Sequence, residues 1–316
     1  MKKISTKNMT YEQWLGERRH SIGASEAGSV LGLNPYQTAV DVYLSKVGQG
    51  IPVDDNLAMW LGRKMEPVIR ERFELETGLK VRNDNKIRID DEHHFLTTNL
   101  DGMVVGEKVP VEYKLLSRWD GDIPNYYFAQ IQHQMMVTDT PYIYFVVLLV
   151  GFQKQIVIEK YERNEDFINT MREQEVEFWV KYVVNNKPPA PTTYNDTINI
   201  HSKSIEGSVV NISVEEDRFV FDWVNQLMEL QRTKRTNDGL IKGTKQALMN
   251  YMGANESLQF GDSELVRWSN TKSRSKFNTA AFKKENPELY EKYCTESPGS
   301  RRFLLKAKAK LLNQGE

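Results

Sequence analysis

The stretch that most constrains this chain is Leu96 to Lys114, LTTNLDGMVVGEKVPVEYK. Its β-forming residues fall on either side of Val105-Gly106-Glu107-Lys108 and predict two paired strands. Residues two apart on a strand point to one face, so Glu112 and Lys114 project together, and pairing brings Asp101 of the first strand beside them. Two carboxylates and an amine in one small volume suit a hard divalent cation such as Mg²⁺, with the ammonium left to orient a water or offset phosphate charge. That is chemistry for cleaving a phosphodiester. A solvated hairpin with a cross-strand ion pair presents the same three residues, and the triplet alone leaves both readings open.

With 316 residues, 40% of them hydrophobic and 27% charged, the chain has the balance of a folded globular protein and the length for more than one module. No window approaches the run of about 18 apolar residues that spans a bilayer; the most apolar segment, Tyr142 to Gly151, is strand length. No apolar stretch follows the two N-terminal lysines, so the reading is no signal peptide, a cytoplasmic protein and no membrane partner. A single cysteine, Cys294, excludes an intrachain disulfide and a cysteine-ligated zinc or iron–sulfur site. The net charge of −1 conceals an asymmetry: residues 231–316 hold 17 Lys and Arg against 9 Asp and Glu, and residues 1–230 hold 25 against 34. A basic C-terminal surface for a polyanion and a merely solvated tail both fit that excess.

In chain order, a helix is predicted over Tyr11 to Arg19, and Ser25 is placed to cap a second helix through Leu31. Arg18, Arg19 and the amides near Gly23 to Ser25 make a candidate phosphate site, local capping being the alternative. Thr38 starts a helix over Ala39 to Val47. Asp55 to Gly78 is amphipathic and helical, with Glu66 beside the apolar stripe at Met65 and Ile69; there it is either exposed or paired, because a lone carboxylate at a core edge is costly. Strands are expected at Lys80 to Arg82, Ile87 to Ile89, Leu96 to Val104 and Val109 to Leu116. A helix follows over Tyr126 to Val137, where Gln130 and Gln134 share a face with His133 alongside, suggesting buried hydrogen bonds or a water-positioning site. Strand Tyr142 to Leu149 is apolar throughout, as in a buried strand, Ile156 to Glu159 pairs with it, and helix Asn164 to Val184 precedes the KPPAPTT linker.

Taken together these pieces resemble the YqaJ-like viral recombinase family, a branch of the PD-(D/E)xK nuclease superfamily that includes the phage lambda exonuclease. The resemblance covers roughly Trp14 to Val150. It rests on five motifs in order: W-x3-R-x6-S at Trp14, Arg18 and Ser25; Glu66 in GRKMEPVIRERF; Asp101 in NLDG; E-x-K at Glu112-Tyr113-Lys114; and Gln130 in AQIQHQM. It implies an α/β fold, a mixed sheet flanked by helices in a restriction-endonuclease-like core over residues 1–195. It also implies a Mg²⁺-dependent (or Mn²⁺-dependent) 5′-to-3′ exonuclease on linear duplex DNA that leaves 3′ tails for a RecT-type annealing protein, in some relatives as a ring-shaped trimer. Glu66, Asp101, Glu112 and the Tyr113 carbonyl would ligate metal, Lys114 would orient or deprotonate the attacking water, and Gln130 would hold Lys114 or the water. Arg18 and Ser25, joined by Arg118, would seat a terminal 5′ phosphate. Leu100 stands where the superfamily often has proline. An endonuclease of the same superfamily, and an inactive DNA-binding or assembly protein with a nuclease fold, are the alternatives. A small-molecule hydrolase is disfavoured, since no G-x-S-x-G, H-E-x-x-H or P-loop pattern occurs.

Residues 212–316 are expected to form a basic, mostly helical extension: helices Glu215 to Thr233, Asn237 to Gly253 and Thr279 to Tyr293, with a hairpin turning at Gly261-Asp262. Phe303, Leu304 and Leu311 are expected to dock a terminal helix whose Arg301, Arg302, Lys306, Lys308 and Lys310 face a phosphate backbone. Trp268, Phe277 and Phe282 are expected to fill a small core there, stacking on unpaired bases being the alternative.

Overall fold

The protein is described by a computed structural model covering residues 2–50, 56–151, 155–295 and 299–306. Asp55, Lys308, Lys310 and Leu311, which figure in the expectations above, lie outside the described residues. The chain divides into two compact units, Met1–His201 and Ser202–Glu316.

The first unit opens with β1 (Lys2–Ser5), α1 (Tyr11–Arg19), β2 (Ile22–Gly23), α2 (Ala24–Val30) and α3 (Ala39–Lys46). Then come α4 (Leu57–Thr77), β3 (Val81–Arg82), β4 (Lys86–Ile89), β5 (Leu96–Thr98), β6 (Gly102–Val104) and β7 (Pro110–Leu116). It closes with α5 (Asn125–Thr138), β8 (Tyr142–Leu149), β9 (Ile156–Glu162), α6 (Glu165–Phe178) running into a π-helical turn (Trp179–Val184), and α7 (Tyr194–Ile200). The helix starts are chemically marked: Thr10 and Thr38 accept the backbone N–H three residues on, Asn56 and Asn164 do the same, and α4 ends on Gly78 at φ 73°. The short β1, β2 and α7 escape the sequence reading, being too brief for a period to register.

Two sheets result, ordered β1-β4-β5-β2 and β3-β6-β7-β8-β9. The second is mixed: β6–β7 and β8–β9 are antiparallel, whereas β7 and β8 are parallel and joined through α5 as a βαβ crossover. Alternate residues of β8 explain its unbroken apolar run. Val146 packs toward Ile69 and Phe73 of α4, while Ile143, Phe145 and Val147 pack toward Ile131 and Met135 of α5. A third cluster joins α2, α3, α5 and α6 through Ala27, Val42, Met136 and Met171.

The single strand expected over Leu96 to Val104 is two strands in different sheets. β5 pairs with β4 and β2, β6 with β3 and β7, and the chain steps between sheets at Asn99-Leu100-Asp101. The register pairs Gly102 with Val111, so a continuing strand would meet Tyr113 two residues on; instead the Asp101 carboxylate Oδ2 accepts the Tyr113 N–H at 2.8 Å. A side chain has replaced a ladder bond, and the strand ends there.

In the second unit the two helices expected over 215–253 are one, α8 (Arg218–Met252), because the expected gap at Lys234-Arg235-Thr236 holds no glycine or proline to break a helix. Gly253, at φ 55°, ends it. The hairpin β10 (Ser257–Phe260) and β11 (Ser263–Arg267) turns where expected. Conversely, Thr279 to Tyr293 is two helices, α9 (Thr279–Glu285) and α10 (Pro287–Tyr293), divided because Pro287 can only begin a helix. Trp268 and Phe277 are exposed, so they do not form the small core expected of them, and residues 301–306 carry no regular structure, with Phe303 and Leu304 exposed.

Candidate active site

β7 supplies the centre. Val111 and Tyr113 face α4, so Glu112 and Lys114 face α5. There Glu112, 3% exposed, is held at both oxygens: Lys114 Nζ donates to Oε1 at 2.6 Å, Gln130 Nε2 to Oε1 at 2.6 Å, and Gln134 Nε2 to Oε2 at 2.7 Å. Lys114 also donates to Gln130 Oε1 at 3.1 Å and sits 4.6 Å from the ring centre of Tyr127, which favours its charged form. The two glutamines lie on one face of α5, one turn apart, so a single helix face clamps the carboxylate and the lysine together.

Asp101 reaches the same region from the step between sheets. Burial first, and the Glu112 carboxylate next, push its carboxyl well above the usual range. Glu66, half-buried on α4, is likewise pushed up by burial and then by Glu112. Burial works against the charge of Lys114, yet Glu112 and Asp101 hold it above the ordinary lysine value. An open cavity of about 230 Å³ adjoins Glu66 and Asp101, lined also by Arg70, Asn83, Lys86, Asn99 and Tyr113 among others; Glu112 and Lys114 are not among its lining.

Asp101 and Glu112, repelling each other beside the Lys114 ammonium, form a donor pair that suits a hard divalent cation, which would relieve the repulsion. Among the described residues no group of three or more His, Cys, Asp or Glu is gathered at metal-holding spacing. Topology gives a reason: Glu66 comes from the helix on one face of the sheet and Glu112 points to the helix on the other. Mg²⁺ nevertheless needs only one or two carboxylates and keeps waters elsewhere, so the residues fit such an ion.

Behind the site, His133 and Glu175 are both 0% exposed. Nδ1 of His133 lies 2.8 Å from Glu175 Oε1 and Nε2 lies 3.0 Å from the Thr97 carbonyl, tying α5 to α6 and β5. Burial disfavours the imidazolium, but Glu175 and the Thr97 carbonyl outweigh it and raise the His133 pKa.

The Arg18–Ser25 pair also forms: Arg18 Nη2 donates to Ser25 Oγ at 3.2 Å, and the guanidinium carbon is 4.9 Å from the Trp14 ring centre. One expectation changes. Ser25 does not cap α2; the seven-residue helix starts at Ala24, and Glu26 Oε2 accepts the Gly23 N–H at 2.8 Å, so that amide is taken. Arg118 is 79% exposed and paired with Asp120 on the loop after β7. Sequence reasoning missed Glu26 and Lys46, which underlie Arg18; the Gly23-x-x-Glu26 spacing of a helix start was the available signal for the first, whereas Lys46 ends an otherwise ordinary amphipathic helix.

Residues 13–141 match the family described as the YqaJ-like viral recombinase domain. The chain is 30% identical over 320 residues to the YqaJ protein of Bacillus subtilis (strain 168), spanning 94% of this chain and 95% of that protein. It is 22% identical over 313 residues to a protein of Acanthamoeba polyphaga mimivirus, spanning 92% of this chain and 53% of the viral one. Among solved structures, an alkaline exonuclease from Laribacter hongkongensis aligns with a TM-score of 0.48 and 21% identity over 55% of this chain and 93% of its own. A phage-related exonuclease from Haemophilus somnus 129PT aligns with a TM-score of 0.43 and 12% identity over 53% and 96%.

Proposed function

The chain belongs to the YqaJ-like viral recombinase family, and from that membership we propose a divalent-metal-dependent exonuclease that digests linear double-stranded DNA from its 5′ ends. The product is a 3′ single strand for a RecT-type annealing protein, and a ring-shaped trimer around DNA is the assembly proposed with it. The observation that carries the reading is Lys114 clamped between Glu112 and Gln130, with Asp101 held on the N–H of Tyr113, the residue between Glu112 and Lys114 in sequence.

Asp101 and Glu112 would hold the ion, with Glu66 and the Tyr113 carbonyl as further donors. Bound there, Mg²⁺ or Mn²⁺ would supply a nucleophilic water near neutral pH and neutralise charge on the scissile phosphate. Lys114 meets a carboxylate at 2.6 Å, so at rest it is an ammonium, placed to orient or deprotonate the attacking water and to offset phosphate charge. Gln130 fixes that ammonium and Gln134 fixes the second oxygen of Glu112, so neither has to be ordered during the reaction. Arg18 and Ser25 receive the terminal 5′ phosphate, a charge that internal DNA does not present in the same place. No helix among the described residues is long and apolar enough to cross a membrane.

End-labelled linear duplex incubated with Mg²⁺ is expected to release mononucleotides, with EDTA stopping release and covalently closed circles spared. Cutting of closed circles would assign an endonuclease instead. Absence of any cleavage, with DNA binding unchanged in Glu112→Gln and Lys114→Ala, would assign an inactive binding protein.

A further inference from the structure

Beneath Arg18 lie two buried charges that the cleavage chemistry does not use. The side chain of Lys46, at the end of α3, is 1% exposed, and that of Glu26, on α2, is 8% exposed. All three ammonium hydrogens of Lys46 have acceptors: the Arg18 carbonyl at 2.8 Å and Glu26 Oε1 and Oε2 at 2.8 and 2.7 Å. Glu26 Oε1 in turn lies 3.2 Å from Arg18 Nη2. Lys46 therefore grips Arg18 directly at its backbone and, through Glu26, at its guanidinium.

A guanidinium carries five donors in a rigid fork, and Glu26 and Ser25 share a single nitrogen of it. Trp14 lies against the group, its ring centre 4.9 Å from the guanidinium carbon, and restricts its motion before any ligand arrives. The remaining guanidinium donors form a planar fork that suits two oxygens of one phosphate. Two cations and one anion leave one positive charge in the cluster; without Lys46, Glu26 would cancel Arg18.

We propose that Glu26 and Lys46 are positioning residues that set the preference for a 5′-phosphorylated DNA end, Glu26 by aiming Arg18 and Lys46 by neutralising Glu26 so that the charge of Arg18 stays available. This rests on Arg18 and Ser25 being the seat of the terminal phosphate. Pre-organisation of this kind lowers the ordering cost of binding.

The test uses the full chain and two blunt fluorescent duplexes identical except for 5′-phosphate or 5′-hydroxyl ends. Affinities are read by anisotropy in EDTA, and cleavage of the same duplexes with Mg²⁺. The double variant Glu26→Gln/Lys46→Met removes both charges and leaves neither buried alone. Relative to wild type its preference for phosphorylated ends is expected to fall about tenfold in affinity, a loss of about 1.4 kcal/mol, and to appear in KM for cleavage. Glu26→Gln alone, which leaves Lys46 buried without its carboxylate, is expected to lose the preference in the protein that folds, since the aim of Arg18 is lost. A folded double variant with the wild-type preference overturns the proposal. So does a Glu26→Gln variant with an increased preference, or a wild type that binds both duplexes equally. Absence of cleavage by wild type refutes the nuclease reading alone, leaving the EDTA comparison to decide this one.

Discussion

Replacing Glu175 by Gln tests whether a buried charge pair holds the clamp helix α5 in place. Both side chains of the His133–Glu175 pair are fully buried, and His133 spends both ring nitrogens on Glu175 and the Thr97 carbonyl. Glu175 Oε2 has no hydrogen-bond partner among the described residues, so His133 is its main compensation. Breaking such a pair costs about 3–5 kcal/mol. At about 2–4 °C per kcal/mol for a unit of this size, the variant should unfold about 6–20 °C lower. The sign with pH follows from the raised His133 pKa: the stabilisation is fully present below the unfolded value of about 6.5 and is lost as pH rises through the folded value. The gap between wild type and variant should therefore be widest near pH 6 and narrow toward pH 9, read as thermal unfolding of the full chain by circular dichroism. A variant within about 2 °C of wild type at pH 6, on the scale of the smallest shift that one kcal/mol produces, would refute the reasoning. So would a gap that widens with pH.

Gln134→Ala leaves Glu112 Oε2 without its 2.7 Å donor and should lower cleavage about 10–100-fold, the usual cost of an outer-shell partner; single-turnover rates with Mg²⁺ check it. Gly28→Ala would place a methyl 2.8 Å from Tyr126 Cβ and 2.9 Å from its Cα, forcing α2 and α5 apart at a cost of about 1–3 kcal/mol; urea midpoints measure this, and an unchanged midpoint contradicts it. Removing residues 202–316 takes away the basic residues concentrated over 231–316, so metal-dependent cleavage should persist while duplex binding weakens and its salt dependence flattens; equal salt slopes for the two forms would contradict this.

The α/β architecture was legible because its long elements advertise their periods: the amphipathic stripe of α4, the unbroken apolar β8, the glutamines one turn apart on α5. Glu112, Lys114 and Gln130 were legible for the same reason, since a strand period of two and a helix period near four determine which side chains share a face. What was not legible was non-local. The split of Leu96 to Val104 depends on which strand each half pairs with, information held by β2, β3, β4 and β7 and absent from the stretch itself. Glu26 and Lys46 are 20 residues apart on different helices, and nothing in either local pattern announces the other. The exposed Trp268 and Phe277 show the opposite error, because hydrophobicity was read as burial where it was only composition.

The step at Asn99-Leu100-Asp101 has a kinetic consequence. The two sheets are separate hydrogen-bond ladders, and separate ladders are natural units of independent opening in amide exchange. Asp101 is anchored to the second ladder through the Tyr113 N–H and its bond to Gly102 of β6, and to the first through Asn99 and Leu100, with the Asn99 side-chain amide donating to the Lys86 carbonyl. If either ladder opens, one of its two tethers is released while the rest of the fold stays protected. Competence of the site is then set by the joint closure of both ladders, and mild denaturant should extinguish activity before it erases the slow-exchanging core of β7 and β8.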